Sequence, residues 1–354
     1  MKRITFFILG IIGSTLFLGA SMVPGYLGTG TAAGTAAAGA AAGKVAKKRP
    51  IGKMLGADIS FLPQLEARGM KFTDNGVQKD AIQILKDHGF NYIRLRIFND
   101  PAADSGYSPA KGFCDLEHTK AMAKRVKAAG LKLLLDFHYS DTWADPGKQF
   151  KPAAWKGYNF DQLTQAVREY TKSVLLALKE QGTLPDMVQV GNEINHGILW
   201  PDGNTRNMDT LTTFLKAGIA GVYDVDPSIN IMLHIACGGQ NTESRFFVDN
   251  MLSHQVDFQV IGESYYPQWH GTPEELKSNL TDLATRYKQA VVVAEYTEHK
   301  QEVNDIEFNL PGGKGKGTFI WEPLNTWEFF VDKEGKTNDL INLYPAIAKK
   351  YNIE

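Results

Sequence analysis

The sequence predicts an α/β fold, a single (β/α)8 TIM barrel preceded by a signal segment and a Gly/Ala-rich linker. Three observations predict it. Eight short, strand-like apolar runs follow one another along the chain, and several are near-continuous, as expected of strands buried on both faces of a parallel sheet. Helix-patterned segments alternate with them and close on glycine. No Gly-rich dinucleotide fingerprint follows any of the strands, which weakens an open doubly wound sheet as the alternative.

The 354-residue chain opens with Lys2 and Arg3 ahead of an apolar run from Ile4 to about Ala20, the pattern of a secretory signal. The small residues Gly19, Ala20 and Ser21 suit cleavage, and residues 1–22 are expected to be a signal peptide or a signal-anchor. Residues 23–50 form a low-complexity Gly/Ala linker ending in the basic Lys47, Lys48 and Arg49; too little apolar surface is present there to build a core. Residues 51–354 are then the barrel, a normal size for this fold. With 38 basic and 39 acidic residues there is no positive excess of the kind nucleic-acid binding needs. Cys114 and Cys237 have no metal spacing and are expected to be free thiols.

The strands are expected at 54–60 (MLGADIS), 92–98 (YIRLRIF), 131–138 (LKLLLDFH), 187–192 (MVQVGN), 229–237 (INIMLHIAC), 257–264 (DFQVIGES), 290–295 (AVVVAE) and 317–322 (GTFIWE). Between them, VQKDAIQILKDHG reads as a helix from Val77 that stops at Gly89. The next helix begins at the N-cap Asp115 and stops at Gly130, and a third, from Phe160, stops at Gly182. Thr272, Pro273 and Glu275 form a capping box that opens another.

Chemistry in such barrels sits at the C-terminal strand ends. Those ends carry Asp58 and Ser60, Arg94 and Arg96, Asp136 and His138, Asn192 and Glu193, His234, Glu263 to Tyr266, Glu295, and Trp321 with Glu322. The six tryptophans (Trp143, Trp155, Trp200, Trp269, Trp321 and Trp327) all fall at these ends or just beyond, where indole faces could stack on sugar rings. Strands four and seven face each other across a closed barrel, so Glu193 and Glu295 form a pair of carboxylates on opposite sides of the mouth. Such a pair is the equipment of glycoside hydrolysis, one general acid and one nucleophile. Asn192 could bond a sugar hydroxyl, and Arg94 or Arg96 could hold the nucleophile ionised. The acid, Glu193, should be the carboxyl less well paired with cations.

Several stretches resemble glycoside hydrolase family 53, the endo-β-1,4-galactanases of clan A: LLLDFHYSDTWADPG (133–147), VGNEI (190–194), SYYPQWHG (264–271) and VVAEY (292–296). GADIS (56–60), YIRLRIFNDP (92–101) and IWEP (320–323) fit as well, so the likeness runs from about Leu55 to Pro345. The resemblance implies a retaining endo-hydrolase of β-1,4-galactan, as in the side chains of type I arabinogalactan, with Glu193 as acid/base and Glu295 as nucleophile. It also implies that Arg96, Asp136, His138, Asn192, Tyr266 and Trp321 bind substrate, with Trp143 and Trp200 as further stacking candidates. The partner expected is the polysaccharide alone: no nucleic acid, no membrane beyond an N-terminal anchor, and a monomer, exported from the cell. No cofactor or metal is expected, because the segment after Glu295 lacks the Asp/Gly-rich calcium loop of some members. No role is assigned to His196.

Other readings are a clan A hydrolase of mannan or glucan and a non-catalytic carbohydrate-binding barrel. A metal-dependent barrel hydrolase would want two histidines on strand one, which GADIS lacks. A phosphate-binding barrel would use LPGGKGKG (310–317), which reads instead as a turn.

Overall fold

The computed structural model describes residues 47–325 and 330–354. The expected signal segment, nearly all of the linker and Trp327 lie outside the described residues.

Eight parallel strands close into a barrel: β1 Met54–Asp58, β2 Tyr92–Ile97, β3 Lys132–Phe137, β4 Met187–Val190, β5 Asn230–Ile235, β6 Val260–Tyr265, β7 Ala290–Tyr296 and β8 Gly315–Trp321. Neighbours in sequence are neighbours in the sheet, and β1 pairs with β8 to close it. Each coincides with one of the eight expected segments. Each strand is followed by a helix: α1 Ala81–Asp87, α2 Leu116–Ala128, α3 Phe160–Glu180, α4 Met208–Tyr223, α5 Asn241–Ser253, α6 Pro273–Arg286, α7 Lys300–Phe308 and α8 Leu343–Tyr351. Asp115 caps α2 and the Thr272–Glu275 capping box opens α6, as read from the sequence. Gly89, Gly130 and Gly182 take positive φ after α1, α2 and α3.

One helix start is corrected. Val77–Lys79 is not helical; it pairs antiparallel with Phe72–Asp74. Asn75 and Gly76 both have positive φ, the requirement of a tight hairpin turn, and that Asn-Gly signal outranks the helical spacing. Helix α1 begins at Ala81, where Asp80 accepts from the Ile82 N–H. The Gly-rich loop before β8 is likewise a turn, Pro311–Gly313, at the end of the barrel away from the strand C-termini.

The barrel interior changes character along its axis. Toward the N-terminal ends it is apolar, filled by Met54, Tyr92, Leu134, Met187, Met232, Val260, Val292 and Phe319. Two positions further along the same inward faces come Arg94, Asp136, Gln189 and His234, all buried. An alternating strand keeps side chains two apart on one face, so the two layers follow from the sequence register. Outside the barrel, a continuous apolar layer joins strands to helices.

Gly56 permits close packing here: a Cβ at this position would lie 2.2 Å from the Phe319 ring. Gly56→Ala is therefore expected to lower stability by about 1–3 kcal/mol through overpacking. Chemical denaturation measures this; an unchanged midpoint would contradict the packing described.

Candidate active site

A cleft of about 630 Å³ opens at the C-terminal ends of the strands. Its floor carries Asn192, Glu193 and Glu295; its walls include Trp143, Tyr266, Trp269 and Trp321, with Asp145, Asn195, His196, Gln240 and Glu243 around them.

Two backbone devices bring the glutamates into it. Strand β4 stops at Val190, and Gly191 turns away with φ +86°; a Cβ there would meet Ile194 at 2.6 Å. Glu193 then sits in the left-handed region (φ 48°, ψ 52°), a conformation that costs a non-glycine residue roughly 1–3 kcal/mol and is kept where function demands it. The buried Gln149 amide clips this turn by donating to the carbonyls of Asn192 (2.8 Å) and Glu193 (3.3 Å). On β7 the register against β6 slips between Glu263 and Ser264, so that Ser264 lies opposite Glu295. Val293 and Tyr296 pack in the outer layer and Ala294 in the barrel interior. Strict alternation would aim Glu295 outward; the bulge aims it into the cleft beside Ala294.

Beneath the glutamates lies Arg94. Its Nε donates to Gln189 Oε1 (3.1 Å), Nη1 to Asp58 (3.0 Å) and Glu295 Oε1 (2.7 Å), and Nη2 to Asp136 (2.8 Å) and Asn192 Oδ1 (2.9 Å). All five donors of the guanidinium are used. Glu295 also accepts from the Tyr266 hydroxyl at 3.0 Å. Glu193 is bonded differently: its Oε1 accepts from Ser264 Oγ at 2.7 Å.

Burial raises both carboxyls. Glu193 is pushed up to about 8, by burial first and then by the charge of Glu295, against the Ser264 hydrogen bond. Burial lifts Glu295 above its usual range as well, but the Arg94 cation opposes that lift. Two close, buried carboxyls sharing one cation hold one proton between them. The direct Arg94 bond to Glu295 favours Glu193 as the carboxyl that keeps the proton.

The sequence-predicted residues divide. The structure brings Glu193, Glu295, Asn192, Trp143, Tyr266 and Trp321 together around the cleft. Asn192 uses one amide hydrogen on the Ala144 carbonyl (2.8 Å), leaving the other for a ligand. Four expected substrate contacts are not among the cleft-lining residues. Arg96 is buried, paired with Glu322 at 2.6 Å, and lies 4.4 Å under the Trp143 ring and 4.5 Å from that of Phe61; it supports the aromatic wall from behind. Asp136 is fully buried on Arg94 and Gln189. His138 uses both ring nitrogens internally, on Asp136 (3.1 Å) and the Ala144 N–H (3.1 Å), and so braces the loop that carries Trp143. Trp200 donates to the His196 carbonyl at 3.0 Å.

Trp155 is buried against Tyr170, a structural plug, so three of the five described tryptophans face the cleft. Glu263 points out of the barrel and bonds Ser244 and the Cys237 N–H. Cys114 and Cys237 are both free and buried.

Sequence reasoning passed over Gln189, Gln149 and the roles of His234 and Ser264, named Trp269 only together with the other rim tryptophans, and gave His196 no part although both line the cleft. Gln189 had a signal: an amide at an inward position of the apolar run MVQVGN.

The family model described as Glycosyl hydrolase family 53 matches residues 54–310. An uncharacterised protein of Niallia circulans is 42% identical over 312 residues, covering 76% of this chain and 83% of that protein. Arabinogalactan endo-β-1,4-galactanase A of Aspergillus niger is 36% identical over 265 residues, covering 72% and 73% respectively. The solved GH53 catalytic domain of Ignisphaera aggregans superposes with a TM-score of 0.78 at 33% identity, covering 84% of this chain and 97% of that one.

Removing the Arg94 cation tests the electrostatics directly. Arg94→Met leaves buried carboxylates unpaired and is expected to cost roughly 3–5 kcal/mol of stability at neutral pH. Asp58 is held below its usual range, burial being outweighed by Arg94 and Arg96. A depressed carboxyl contributes stability above its unfolded value of about 3.9 and loses it as pH falls. The gap between wild type and variant should therefore narrow below about pH 4. A constant gap in denaturation from neutral to acid pH would contradict the pairing.

Proposed function

The chain belongs to glycosyl hydrolase family 53, and from that premise we propose that it is a retaining endo-β-1,4-galactanase acting on the galactan of type I arabinogalactan. The observation that carries the reading is the unequal pair in one cleft: Glu295 on a cation, Glu193 on a hydroxyl.

The chemistry follows from those partners. Ionised Glu295 attacks the anomeric carbon. The glycosidic bond breaks, its electron pair going to the leaving oxygen, which takes the proton of Glu193. A covalent glycosyl–Glu295 intermediate remains. Glu193, now a carboxylate, removes a proton from water as that water attacks the same carbon and releases Glu295. Two inversions give net retention.

Arg94 and the Tyr266 hydroxyl hold Glu295 in place for attack. Trp143, Trp269 and Trp321 provide flat apolar faces for sugar rings, and Asn192 an amide hydrogen for a hydroxyl. Linkage and endo action are supported by the name of the Aspergillus niger relative. A polymeric substrate agrees with export, and the charged start and apolar run of residues 1–22 support the same placement.

The test is sugar release by the full chain on linear β-1,4-galactan, mannan, xylan and β-glucans, with NMR of the first anomer formed. Release from galactan alone, a rapid fall in viscosity and a β product are expected. Release from another polymer overturns the substrate, and an α product overturns the mechanism. Glu193→Gln and Glu295→Gln should each lose at least about 10²–10⁴ in kcat on galactan. Full activity in both would remove the assignment.

A further inference from the structure

The turn that delivers Glu193 to the cleft delivers a second side chain that the chemistry above does not use. After the left-handed Glu193 comes one 3₁₀ turn, Ile194–His196. Ile194 is fully buried and anchors this turn in the core. Asn195 and His196 line the cleft, and the His196 ring is exposed.

The His196 ring is held by one edge. Its Nδ1 lies 2.9 Å from the Pro146 carbonyl. A carbonyl can only accept, so Nδ1 carries a hydrogen and Nε2 is the nitrogen left over. Among the described residues Nε2 has no hydrogen-bond partner. The backbone beneath the ring is fixed as well. Trp200 Nε1 donates to the His196 carbonyl at 3.0 Å, and Asn195 Oδ1 accepts from the Ala236 N–H at 3.1 Å. The ring is therefore oriented before any ligand arrives, which lowers the entropy lost on binding.

The place of this nitrogen relative to the broken bond follows from the roles of the two glutamates. Glu193 protonates the leaving oxygen, so the sugar that carries that oxygen lies on the Glu193 side of the bond. His196 continues from Glu193 along the same turn. The anchors of the turn, Pro146 after β3 and Ala236 after β5, belong to the two strands that flank β4. Glu295 reaches the anomeric carbon from β7, two strands beyond β5.

We propose that His196 Nε2 hydrogen-bonds a hydroxyl of the polymer on the leaving-group side of the cleavage point. The inference rests on the reading of Glu193 as the acid of an endo-galactanase. An endo-hydrolase needs contacts on both sides of the bond, because its substrate extends both ways from it. A hydroxyl both donates and accepts, so it can meet Nε2 in either protonation state of the ring. His196 is a binding residue; it takes no part in proton transfer.

Two substrates and two variants of the full chain test it. His196→Ala should lower kcat/KM on β-1,4-galactan about 3- to 10-fold, the worth of one hydrogen bond. Methyl β-galactobioside, followed by the methanol released, is the control. Its leaving group needs the proton of Glu193 as a sugar does but brings no ring hydroxyl, and it should lose less than about twofold, since no hydrogen bond is removed. His196→Phe keeps a flat ring without its nitrogens and should resemble His196→Ala. Equal losses on both substrates would mean that the ring merely supports Glu193 and overturn the proposal. Wild-type kcat/KM on galactan in His196→Phe would assign the ring to stacking and overturn it too. A wild-type chain that cleaves no galactan fails the functional reading and the proposal with it, whereas cleavage with equal losses fails the proposal alone.

Discussion

One guanidinium organises the mouth of this barrel. Arg94 is 1% exposed and gives all five of its N–H groups to side chains from four other parts of the chain. Burying a cation is costly unless it is paired and fully hydrogen-bonded. Here the compensation comes from Asp58 on β1, Asp136 on β3, Gln189 on β4, Asn192 in the turn after it and Glu295 on β7. The same contacts that satisfy Arg94 hold the nucleophile beside a cation, place the amide of Asn192 next to the acid and orient the Gln189 side chain. Stability and chemistry are therefore hard to separate at this position: a lysine could supply the charge, but a single ammonium cannot reproduce the planar fork.

Backbone geometry supplies what side chains cannot. A regular eight-stranded barrel aims alternate residues inward, and on that rule Glu295 would face the helices. The bulge on β7 breaks the rule once, at the place where the nucleophile is wanted. On β4 the corresponding device is the turn at Gly191 and the left-handed Glu193, clipped by Gln149. Both deviations are local, and both lie in the layer above an unbroken apolar plug. The fold tolerates irregular rims because its core lies below them.

How much of this was legible in the sequence depended on range. The eight strands were legible because their apolar runs are continuous and their helices end on Gly89, Gly130 and Gly182. Glu193 and Glu295 were legible because each ends an apolar run. Arg94 and Arg96 were not separable: they lie on one face of one strand, and only the closed barrel shows that Glu295 meets the first and Glu322 the second. Asp136 and His138 stood at a strand end like the others, yet their partners turn them inward to Arg94 and to the Ala144 backbone. Register slips and the Gln149 clip depend on contacts between distant segments, which spacing does not record. The Asn75–Gly76 hairpin, by contrast, was written locally, and the helical spacing of Val77 concealed it.

The claim at the centre of this account is that the shared proton of the glutamate pair rests on Glu193 because Arg94 belongs to Glu295. The direct measurement is a pH titration of the two side-chain carboxyl carbons by NMR in ¹³C-glutamate-labelled protein, assigned with Glu193→Gln and Glu295→Gln. The account predicts that Glu295 ionises first and that Glu193 keeps its proton until about pH 8. Ionisation of Glu193 before Glu295 would contradict it and reverse the two roles.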